Sequence, residues 1–399
     1  MSGGDGRESV TDGAYTLRDY GMMAASPARL AVTLEALRAT VRPGSVVVDL
    51  GSGFGLVALI ACRLGAARVY AIESSPIGEM ARQLAVDNGC ADRVIGICSD
   101  SMRVTLPERA DVLVADLRGV LPFYHGSLAT MIDARNRFVR PGGIVVPQRD
   151  RLWAAVVSAP DLHDKFTSPW RDAPLGLDLS RLQDLVVHEW MPAAVPESQI
   201  VSDASCWTEI EYATLHSASA TGTAECVVRR DGPAHGVCVW FDTELVAGVG
   251  FSNAPSAPPT VHGRAFFPWP SAITLHANEV VRTKFRVLPD GHEYTWVWET
   301  SVSGKDGAVH AHWQQATFLG QAFSTAEMHR RAHTHAPRLS EQGRITRAVL
   351  ELMDGDTPLG DIATQLERQF PDVFADWHAA LHRAADVASA AEETGRDDG

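Results

Sequence analysis

The feature that most constrains the fold is a hydrophobic run that ends in an acidic residue and a cluster of glycines. Residues 46–55 read VVVDLGSGFG and are followed by a helix-length apolar stretch, 56–64. Consecutive β-branched residues are typical of a parallel strand buried on both faces. Glycines at the following turn let the backbone approach a ligand and leave helix N-terminal N–H groups to bind it. The segment therefore predicts the first strand, turn and helix of a nucleotide-binding α/β unit.

A second apolar strand, 69–72, ends at Glu73. This is where nucleotide-binding α/β units hold a carboxylate against ribose hydroxyls. The glycine spacing departs from the dinucleotide fingerprint, and no Gly-Lys-Ser/Thr follows, which argues against a phosphate-binding P-loop. A short glycine turn with a ribose carboxylate resembles the S-adenosylmethionine (SAM) site of class I methyltransferases. The alternative is a Rossmann-like site for another nucleotide or dinucleotide.

Composition limits the partners and the compartment. The 399 residues are enough for two or three domains with their own cores. A net charge of −14 argues against non-specific binding to nucleic acid or to an anionic membrane. There is no apolar run of transmembrane length and no hydrophobic signal segment, so we expect a cytoplasmic protein. The six cysteines form no CxxC pair, which predicts reduced thiols and no metal site.

The order of motifs predicts a Rossmann-like α/β domain over residues 14–150, after a disordered segment, 1–13. Helices before residue 43 could fold over the ligand as a lid. Two further strands end near Asp100 and at Asp116. Because parallel strands present their carboxyl ends to the binding cleft, we expect Asp116 in that cleft. Asp100 is expected either at the adenine amine or as the cap of a loop.

After residue 150 the pattern changes to short strands of period two, separated by Pro, Gly and Ser. This texture predicts an antiparallel β-barrel or sandwich over 151–325. His310 and His312 alternate along one of these strands. A linker with His329, His333 and His335, 326–338, leads to a small helical domain, 339–388, and a disordered tail, 389–399. The linker histidines are expected to reflect composition rather than metal binding.

With the domains in order, residues 20–325 resemble the protein arginine methyltransferase family. The sequence YGMM at 20–23, with Arg29 six residues on, is similar to the family's lid helix. Trp170 with GLDLS at 176–180 is similar to the arm that forms head-to-tail dimers, here expected around 165–184. The resemblance implies SAM as cofactor, S-adenosylhomocysteine as product, a homodimer, and a SAM carboxylate bound by Arg29. It implies cofactor contacts from Tyr20, Met23, Arg29, Asp49, Gly51, Ser52, Gly53, Gly55, Leu56, Glu73, Ser74, Asp100, Ser101 and Asp116.

The chain departs from the family where the acceptor should bind. The family's substrate loop carries two glutamates nine residues apart, and here these positions are Asp116 and His125, with Tyr124 beside the second. The family's Thr-His-Trp loop becomes Thr260-Val261-His262. A pair of carboxylates suits a planar guanidinium, whereas one carboxylate and an imidazole suit it less well. The resemblance therefore favours methyl transfer more strongly than arginine methylation. It implies substrate contacts from Asp116, Arg118, Tyr124, His125, Thr260 and His262.

These residues predict an N-methyltransferase. An amine or imidazolium must lose a proton before it attacks, so Asp116 could orient the acceptor while His125 accepts the proton, with Tyr124 beside them as a third catalytic candidate. The alternative interpretation of His125 is an ordinary surface-loop histidine. The expected acceptor is an amine, imidazole or modified guanidine of a peptide or natural-product precursor. The alternatives are a protein or free-arginine guanidino methyltransferase and a SAM-binding scaffold without activity.

Residues 339–387 resemble the small winged-helix peptide-binding domain of pyrroloquinoline-quinone biosynthesis. Related domains recognise leader peptides, so the resemblance implies a ribosomally made precursor peptide as partner. The supporting residues are a glycine turn, the sequence LGDIA at 359–363, and Phe370-Pro371. The alternative is a helical cap that contributes only core or dimer contacts.

Overall fold

The computed structural model describes residues 16–25, 27–172, 174–258, 263–321, 329–330 and 333–391. The chain divides into two compact units between residues 321 and 322. The first unit holds the glycine turn and all the strands described, and the second is helical. Among the described residues, none of the helices combines the length and hydrophobicity needed to cross a membrane.

A five-stranded parallel sheet forms one half of the first unit. Its strands are β1 (Val46–Leu50), β2 (Arg68–Glu73), β3 (Val94–Cys98), β4 (Ala110–Ala115) and β5 (Val139–Val146), in the order β3-β2-β1-β4-β5. The chain moves outward from β1 to β3 and then returns to the other side of β1 as β4. Ligands of open α/β sheets bind at the carboxyl ends of the strands where the order reverses in this way. The predicted Rossmann-like α/β fold is confirmed.

Five helices accompany this sheet. They are α1 (Leu17–Ala24), α2 (Pro27–Thr40), α3 (Leu56–Arg63), α4 (Glu79–Asp87) and α5 (Ser127–Phe138). Right-handed crossovers place α3 and α4 on the same face of the sheet. Cys62 of α3 and Cys90 after α4 thereby form a disulfide, with Cα atoms 6.4 Å apart. The prediction of reduced thiols is wrong for this pair. The two cysteines are 28 residues apart in the sequence, but adjacent crossovers bring them together in space.

Antiparallel strands follow from residue 149. They are β6 (Arg149–Val157), β7 (Met191–Ala193), β8 (Ser205–Glu211), β9 (Ala220–Val227), β10 (Gly232–Val246), β11 (Val249–Ser252), β12 (Arg264–Leu275), β13 (Val280–Asp290), β14 (Glu293–Ser303) and β15 (Val309–Ala316). One sheet has the order β7-β12-β10-β6-β8, with β11 paired to β10, and the other has the order β15-β14-β13-β9. The change to antiparallel strands is confirmed, and closure into a barrel stays a prediction. His310 and His312 lie on β15 and contact Glu279 and Glu299, respectively.

Two helices leave the antiparallel sheets between β6 and β7. They are α6 (Pro160–Arg171) and α7 (Ser180–Val186). Leu175 and Leu177, in the connection between them, are 97% and 59% exposed. This is the segment predicted to act as a dimerisation arm, and it presents leucines to the surface.

One hydrophobic core joins the parallel sheet to the antiparallel strands. Side chains alternate across β1, so Val47 packs against the α3 side while Val48 and Leu50 belong to the core on the other face. That core continues through Trp207, Trp296 and other aromatic side chains of the antiparallel sheets. The carboxyl end of β4 is therefore held directly against the second half of the unit.

The described part of the second unit contains α8 (Glu341–Leu352), α9 (Leu359–Gln369) and α10 (Trp377–Ala391). Apolar residues at helical spacing form its own core, which includes Ile345, Val349, Ile362, Leu366 and Ala384. The helical character agrees with the sequence pattern. Residues 333–391 contain no strand in the part of the chain described, and the winged-helix assignment stays a prediction.

Candidate functional site

A cavity of about 870 Å³ opens at the carboxyl ends of β1, β2 and β4. It reaches from the glycine turn to the loop after β4 and to the hairpin between β13 and β14. Its lining includes most of the residues predicted from the sequence: Tyr20, Met23, Arg29, Asp49, Gly51, Ser52, Gly53, Leu56, Glu73, Ser74, Asp100, Ser101, Asp116, Arg118, Tyr124 and His125. Residues separated by a hundred positions in the chain thus share one cavity.

The glycine turn wraps around a buried carboxylate. Asp49, at the end of β1, is 3% exposed and accepts the N–H of Ala58 in the first turn of α3 at 3.0 Å. Burial raises the pKa of this carboxyl from 3.8 to about 7, and the nearby Glu73 adds to the effect. A cationic group bound in the cavity would favour the ionised form of Asp49, so the site is electrostatically prepared for a cation.

Glu73 closes the opposite side of the turn from the end of β2. One carboxylate oxygen accepts the N–H of Gly53 at 2.9 Å, and the other accepts the N–H and the hydroxyl of Ser75 at 2.9 and 2.8 Å. These bonds fix the carboxylate at the cavity wall. Two carboxylate oxygens offer about four acceptor positions and three are used here, so about one position remains for a ribose hydroxyl.

Helix α1 lies over the glycine turn, as expected of a lid. Its first turn is capped by Thr16 and Asp19, which accept each other's backbone N–H. The Tyr20 ring meets Phe54 edge to face, with centroids 6.1 Å apart. A Cβ at Gly53 would lie 2.7 Å from the Tyr20 ring, and Gly53 also has a φ of +54°, so both the turn and the lid contact require glycine here.

The next strand end contributes Asp100 and Ser101. The Asp100 side chain accepts the N–H of Met102 at 2.9 Å and so caps a short 3₁₀ turn at Ser101–Arg103. In the structure, Asp100 therefore caps a loop, which is one of its two predicted roles. Asp100 also lines the cavity, which leaves its predicted adenine contact as a prediction.

Asp116, just after β4, is bonded to two arginines. Its Oδ2 accepts from Arg29, the lid-side residue predicted to bind the SAM carboxylate. Its Oδ1 accepts from Nε and Nη2 of Arg118 at 3.0 and 2.9 Å. Arg29 thus links the cofactor side of the cavity to the predicted acceptor carboxylate.

Arg118 is held in a buried polar network that was not predicted. Its Nη1 donates to Asp150 at 3.2 Å and also to Thr243. The hydroxyl of Tyr212 donates to the other oxygen of Asp150 at 2.7 Å. Burial opposes the charge of Arg118, but the carboxylates of Asp116 and Asp150 outweigh it and hold the Arg118 pKa above its usual value.

The loop after β4 is anchored by an aromatic contact with the antiparallel strands. Phe123 is 5% exposed and lies 5.5 Å from Tyr294 and 5.3 Å from Trp296 between ring centroids. The next residue, Tyr124, places its ring where a Cβ at Gly119 would lie 2.8 Å away, so the loop needs glycine at that close approach. This packing fixes the positions of Tyr124 and His125.

His125 is paired with a carboxylate from another part of the chain. Its Nδ1 lies 2.7 Å from Oε1 of Glu293, the first residue of β14. Its ring meets that of Tyr124 at 3.9 Å, and its backbone adopts a left-handed φ of +42°. An Nδ1–H donated to Glu293 leaves Nε2 as the acceptor nitrogen of a neutral ring. This arrangement suits a proton acceptor.

One predicted residue is not in the cavity lining, and two others fall outside the described residues. Gly55 is not in the cavity lining and packs against Ala81 of α4. Thr260 and His262 lie outside the described residues. The sequence analysis did not predict Glu293, Asp150 or Tyr212 as part of the site. The glycine at Gly291 is typical of a hairpin turn, but nothing near it in the sequence shows that this hairpin contacts the loop after β4.

Two segments of the chain are similar to known protein families. Residues 148–332 match the arginine methyltransferase oligomerization subdomain, and residues 30–148 match ribosomal protein L11 methyltransferase. Probable protein arginine N-methyltransferase 6 of Arabidopsis thaliana is 31% identical over 225 residues, which cover 54% of this chain and 49% of that protein. Protein arginine N-methyltransferase 1 of Chlamydomonas reinhardtii is 29% identical over 252 residues, covering 61% and 72%. The chain thus spans about half the length of the Arabidopsis relative.

Solved structures agree with this fold. The Trypanosoma brucei PRMT1 enzyme–prozyme complex with AdoHcy superposes with a TM-score of 0.69 at 22% identity, covering 74% of this chain and 96% of that one. Arabidopsis thaliana protein arginine methyltransferase 10 gives 0.67 at 18% identity, covering 76% and 98%. The residues present fit SAM: a glycine turn, carboxylates at Asp49 and Glu73 for a cation and a ribose, and Arg29 for a carboxylate. The chain is thus similar in sequence to arginine methyltransferases and to ribosomal protein L11 methyltransferase, and it shares the fold of the solved arginine methyltransferases.

Proposed function

We propose that this chain transfers a methyl group from SAM to a nitrogen of an amine, imidazole or modified guanidine in a peptide or natural-product precursor. The observation that carries the proposal is the single cavity in which Glu73 and Asp49 meet Asp116 and His125. SAM supplies an electrophilic methyl group on a cationic sulfur. The remaining requirements are alignment of the acceptor and removal of its proton.

The proposed roles follow from the contacts. Asp116 accepts an N–H of the acceptor and orients its lone pair toward the methyl group. His125, with Nδ1 held by Glu293 at 2.7 Å, takes the released proton on Nε2, directly or through water. Tyr124 packs against the His125 ring and closes the acceptor side of the cavity.

A protein or free-arginine guanidino methyltransferase is the second candidate. The identity with protein arginine N-methyltransferases favours it. The paired glutamates of that family's substrate loop are replaced here by Asp116 and His125, which disfavours it. A SAM-binding scaffold is the third candidate, and turnover with any acceptor would reject it.

The second unit is proposed to bind the leader peptide of a ribosomally made precursor. It has a separate core, and Leu339, Leu350 and Leu359 are at least 40% exposed, which offers apolar surface to a peptide. A purely structural cap is the alternative.

The first unit is proposed to form a homodimer through the segment between α6 and α7. Leu175 and Leu177 expose apolar surface there. The double change Leu175→Glu/Leu177→Glu should convert a dimer to a monomer in light scattering, and an unchanged mass would reject the arm. We also propose a cytoplasmic location.

The test of the proposed function is SAM-dependent methylation of precursor peptides encoded beside the gene, read by mass spectrometry. It compares the full chain with a chain cut at about residue 336. Methylation that weakens on truncation supports the peptide-binding role, and fragmentation identifies the acceptor atom. Activity unchanged by truncation makes the second unit structural. SAM binding without methylation of any acceptor favours the scaffold.

A further inference from the structure

Arg118 places a built-in guanidinium against the acceptor carboxylate. Its Nε and Nη2 lie 3.0 and 2.9 Å from Oδ1 of Asp116. The other oxygen of the same carboxylate is bonded to Arg29. Both oxygens of Asp116 therefore already face guanidinium donors that belong to the chain.

Arg118 cannot leave this position without breaking a buried network. Its side chain is 4% exposed, and the Asp150 side chain behind it is 0% exposed. Its guanidinium also lies 5.6 Å from the Phe241 ring centroid and 5.2 Å from that of Phe251. Removing the arginine would leave the Asp150 carboxylate buried without its charge partner, which proteins strongly disfavour.

Bound SAM would affect Arg29 and Arg118 differently. If Arg29 turns to the carboxylate of SAM, Asp116 loses that partner but keeps Arg118. A substrate guanidinium approaching Asp116 would then find Oδ1 already bonded to Arg118, so it could not pair with both carboxylate oxygens without displacing that arginine. The second position of the loop, His125, carries no negative charge of its own, and the carboxylate beside it, Glu293, is 64% exposed.

We propose that Arg118 is a specificity-determining residue that makes this pocket select a neutral nitrogen, the imidazole of a histidine residue, over a guanidinium. This inference rests on the proposed methyl transfer and narrows its acceptor. Imidazole has an unperturbed pKa of about 6.5 and is mostly neutral above neutral pH, while guanidinium stays charged. A neutral ring gains a hydrogen bond to Asp116 without bringing a third positive charge.

The proposed methyl transfer to imidazole needs no reactant besides SAM and the acceptor. One ring nitrogen of the acceptor donates its N–H to Asp116, and the lone pair of the other attacks the methyl carbon. The new N–C bond forms as the C–S bond breaks, and the electron pair of that bond stays on sulfur. The methylated ring is then a cation, and its one remaining N–H proton, held by Asp116, passes through water to His125 and from there to solvent.

The test measures binding rather than turnover, so that it is separable from the proposed function. The full-length protein is loaded with S-adenosylhomocysteine at pH 8 and titrated with N-acetyl-histidine methylamide and N-acetyl-arginine methylamide in a calorimeter. We expect the histidine probe to bind at least tenfold more tightly. Tighter binding of the arginine probe, or no binding of either, overturns the inference.

Two variants then test Arg118 itself. Arg118→Met combined with Asp150→Asn removes the guanidinium and the buried carboxylate together, and it should shift the histidine-to-arginine preference at least tenfold toward arginine. Arg118→Lys keeps the charge and serves as the matched control, with the preference retained. A folded double variant with unchanged preference overturns the role of Arg118. If the double variant does not fold, Arg118→Gln, which removes the charge but keeps a side-chain amide donor, takes its place, and an unchanged preference in that variant overturns the role of Arg118. Absent methylation alongside a measured histidine preference counts against the proposed function alone.

Discussion

The two halves of the cavity are built in different ways. The cofactor half comes from the ends of consecutive strands: Asp49 near the end of β1, Glu73 at the end of β2 and Asp100 after β3. The acceptor half joins the loop after β4 to residues far along the chain, such as Asp150 and Glu293. The first half follows from local strand–turn–helix geometry, whereas the second exists only once the antiparallel sheets have packed against the parallel sheet.

The halves also differ in charge. In the cofactor half, the carboxylates of Asp49 and Glu73 are bonded to N–H and hydroxyl donors of neutral groups, which suits a cationic ligand. In the acceptor half, Asp116 is bonded to two guanidinium groups. Changes in one half should therefore affect methyl-donor binding, and changes in the other should affect the transfer to the acceptor.

The largest expected effect is on transfer. Asp116→Asn keeps one acceptor oxygen but removes the charge that orients the acceptor and balances Arg118. We expect kcat/KM for methylation to fall about 1,000-fold, while SAM affinity changes less than about threefold. Steady-state kinetics with calorimetry measures both quantities. Equal losses in transfer and SAM affinity would mean that the two halves are not separable in this way.

The next effect is on cofactor binding. Glu73→Gln keeps the shape of the side chain but replaces charge-assisted hydrogen bonds by neutral ones, so SAM affinity should fall about 100-fold. Calorimetry with SAM and with S-adenosylhomocysteine measures it. Glu79→Gln, on the exposed first turn of α4, is the control and should leave affinity unchanged. Normal SAM binding by the Glu73 variant would contradict the assignment of Glu73 to the ribose of SAM.

A smaller effect is expected for the proton acceptor. His125→Gln should lower kcat about tenfold, because the group that takes the proton is lost. Glu293→Gln should lower kcat only about threefold, since it acts through His125 and both side chains are partly exposed. A His125 variant with the wild-type kcat would assign proton removal to another group.

A separate effect is expected on stability without ligand. The pKa of Asp49 is raised from 3.8 to about 7, so this group favours folding below pH 4 and that contribution is lost as pH rises through 7. Asp49→Asn should therefore raise the free energy of unfolding at pH 8 by up to about 4 kcal/mol and leave it unchanged near pH 4. Urea unfolding at both pH values measures this. Destabilisation at pH 8 would contradict the assigned cost of the buried charge.

Local pattern predicted the strands and the glycine turn that surround the cofactor half. Residues 49–54, the strand end at Glu73, and Tyr20 and Arg29, which the family resemblance assigned to the lid, line one cavity. These positions depend on strand and helix periodicity and on glycine conformations, which short segments determine. The parallel sheet and the change to antiparallel strands near residue 150 follow from the same kind of signal.

The missed features depend on packing between distant segments. Glu293 reaches His125 only because Phe123 packs against Tyr294 and Trp296. The Cys62–Cys90 disulfide needs two crossovers on one face of the sheet. Arg118 was expected at the substrate, and its pairing with Asp116 and Asp150 was not predicted. Such pairings depend on tertiary geometry that no local pattern specifies.

The most direct test of the central claim follows the methyl group itself. Full-length protein and its Asp116→Asn variant are incubated with isotopically methyl-labelled SAM and the precursor peptides, and tandem mass spectrometry locates the label. We expect the label on a side-chain nitrogen with the wild-type protein, and its loss in the variant even though SAM still binds. Undiminished transfer by Asp116→Asn, or SAM binding by the wild-type protein without transfer to any acceptor, would contradict a single cavity that joins donor and acceptor.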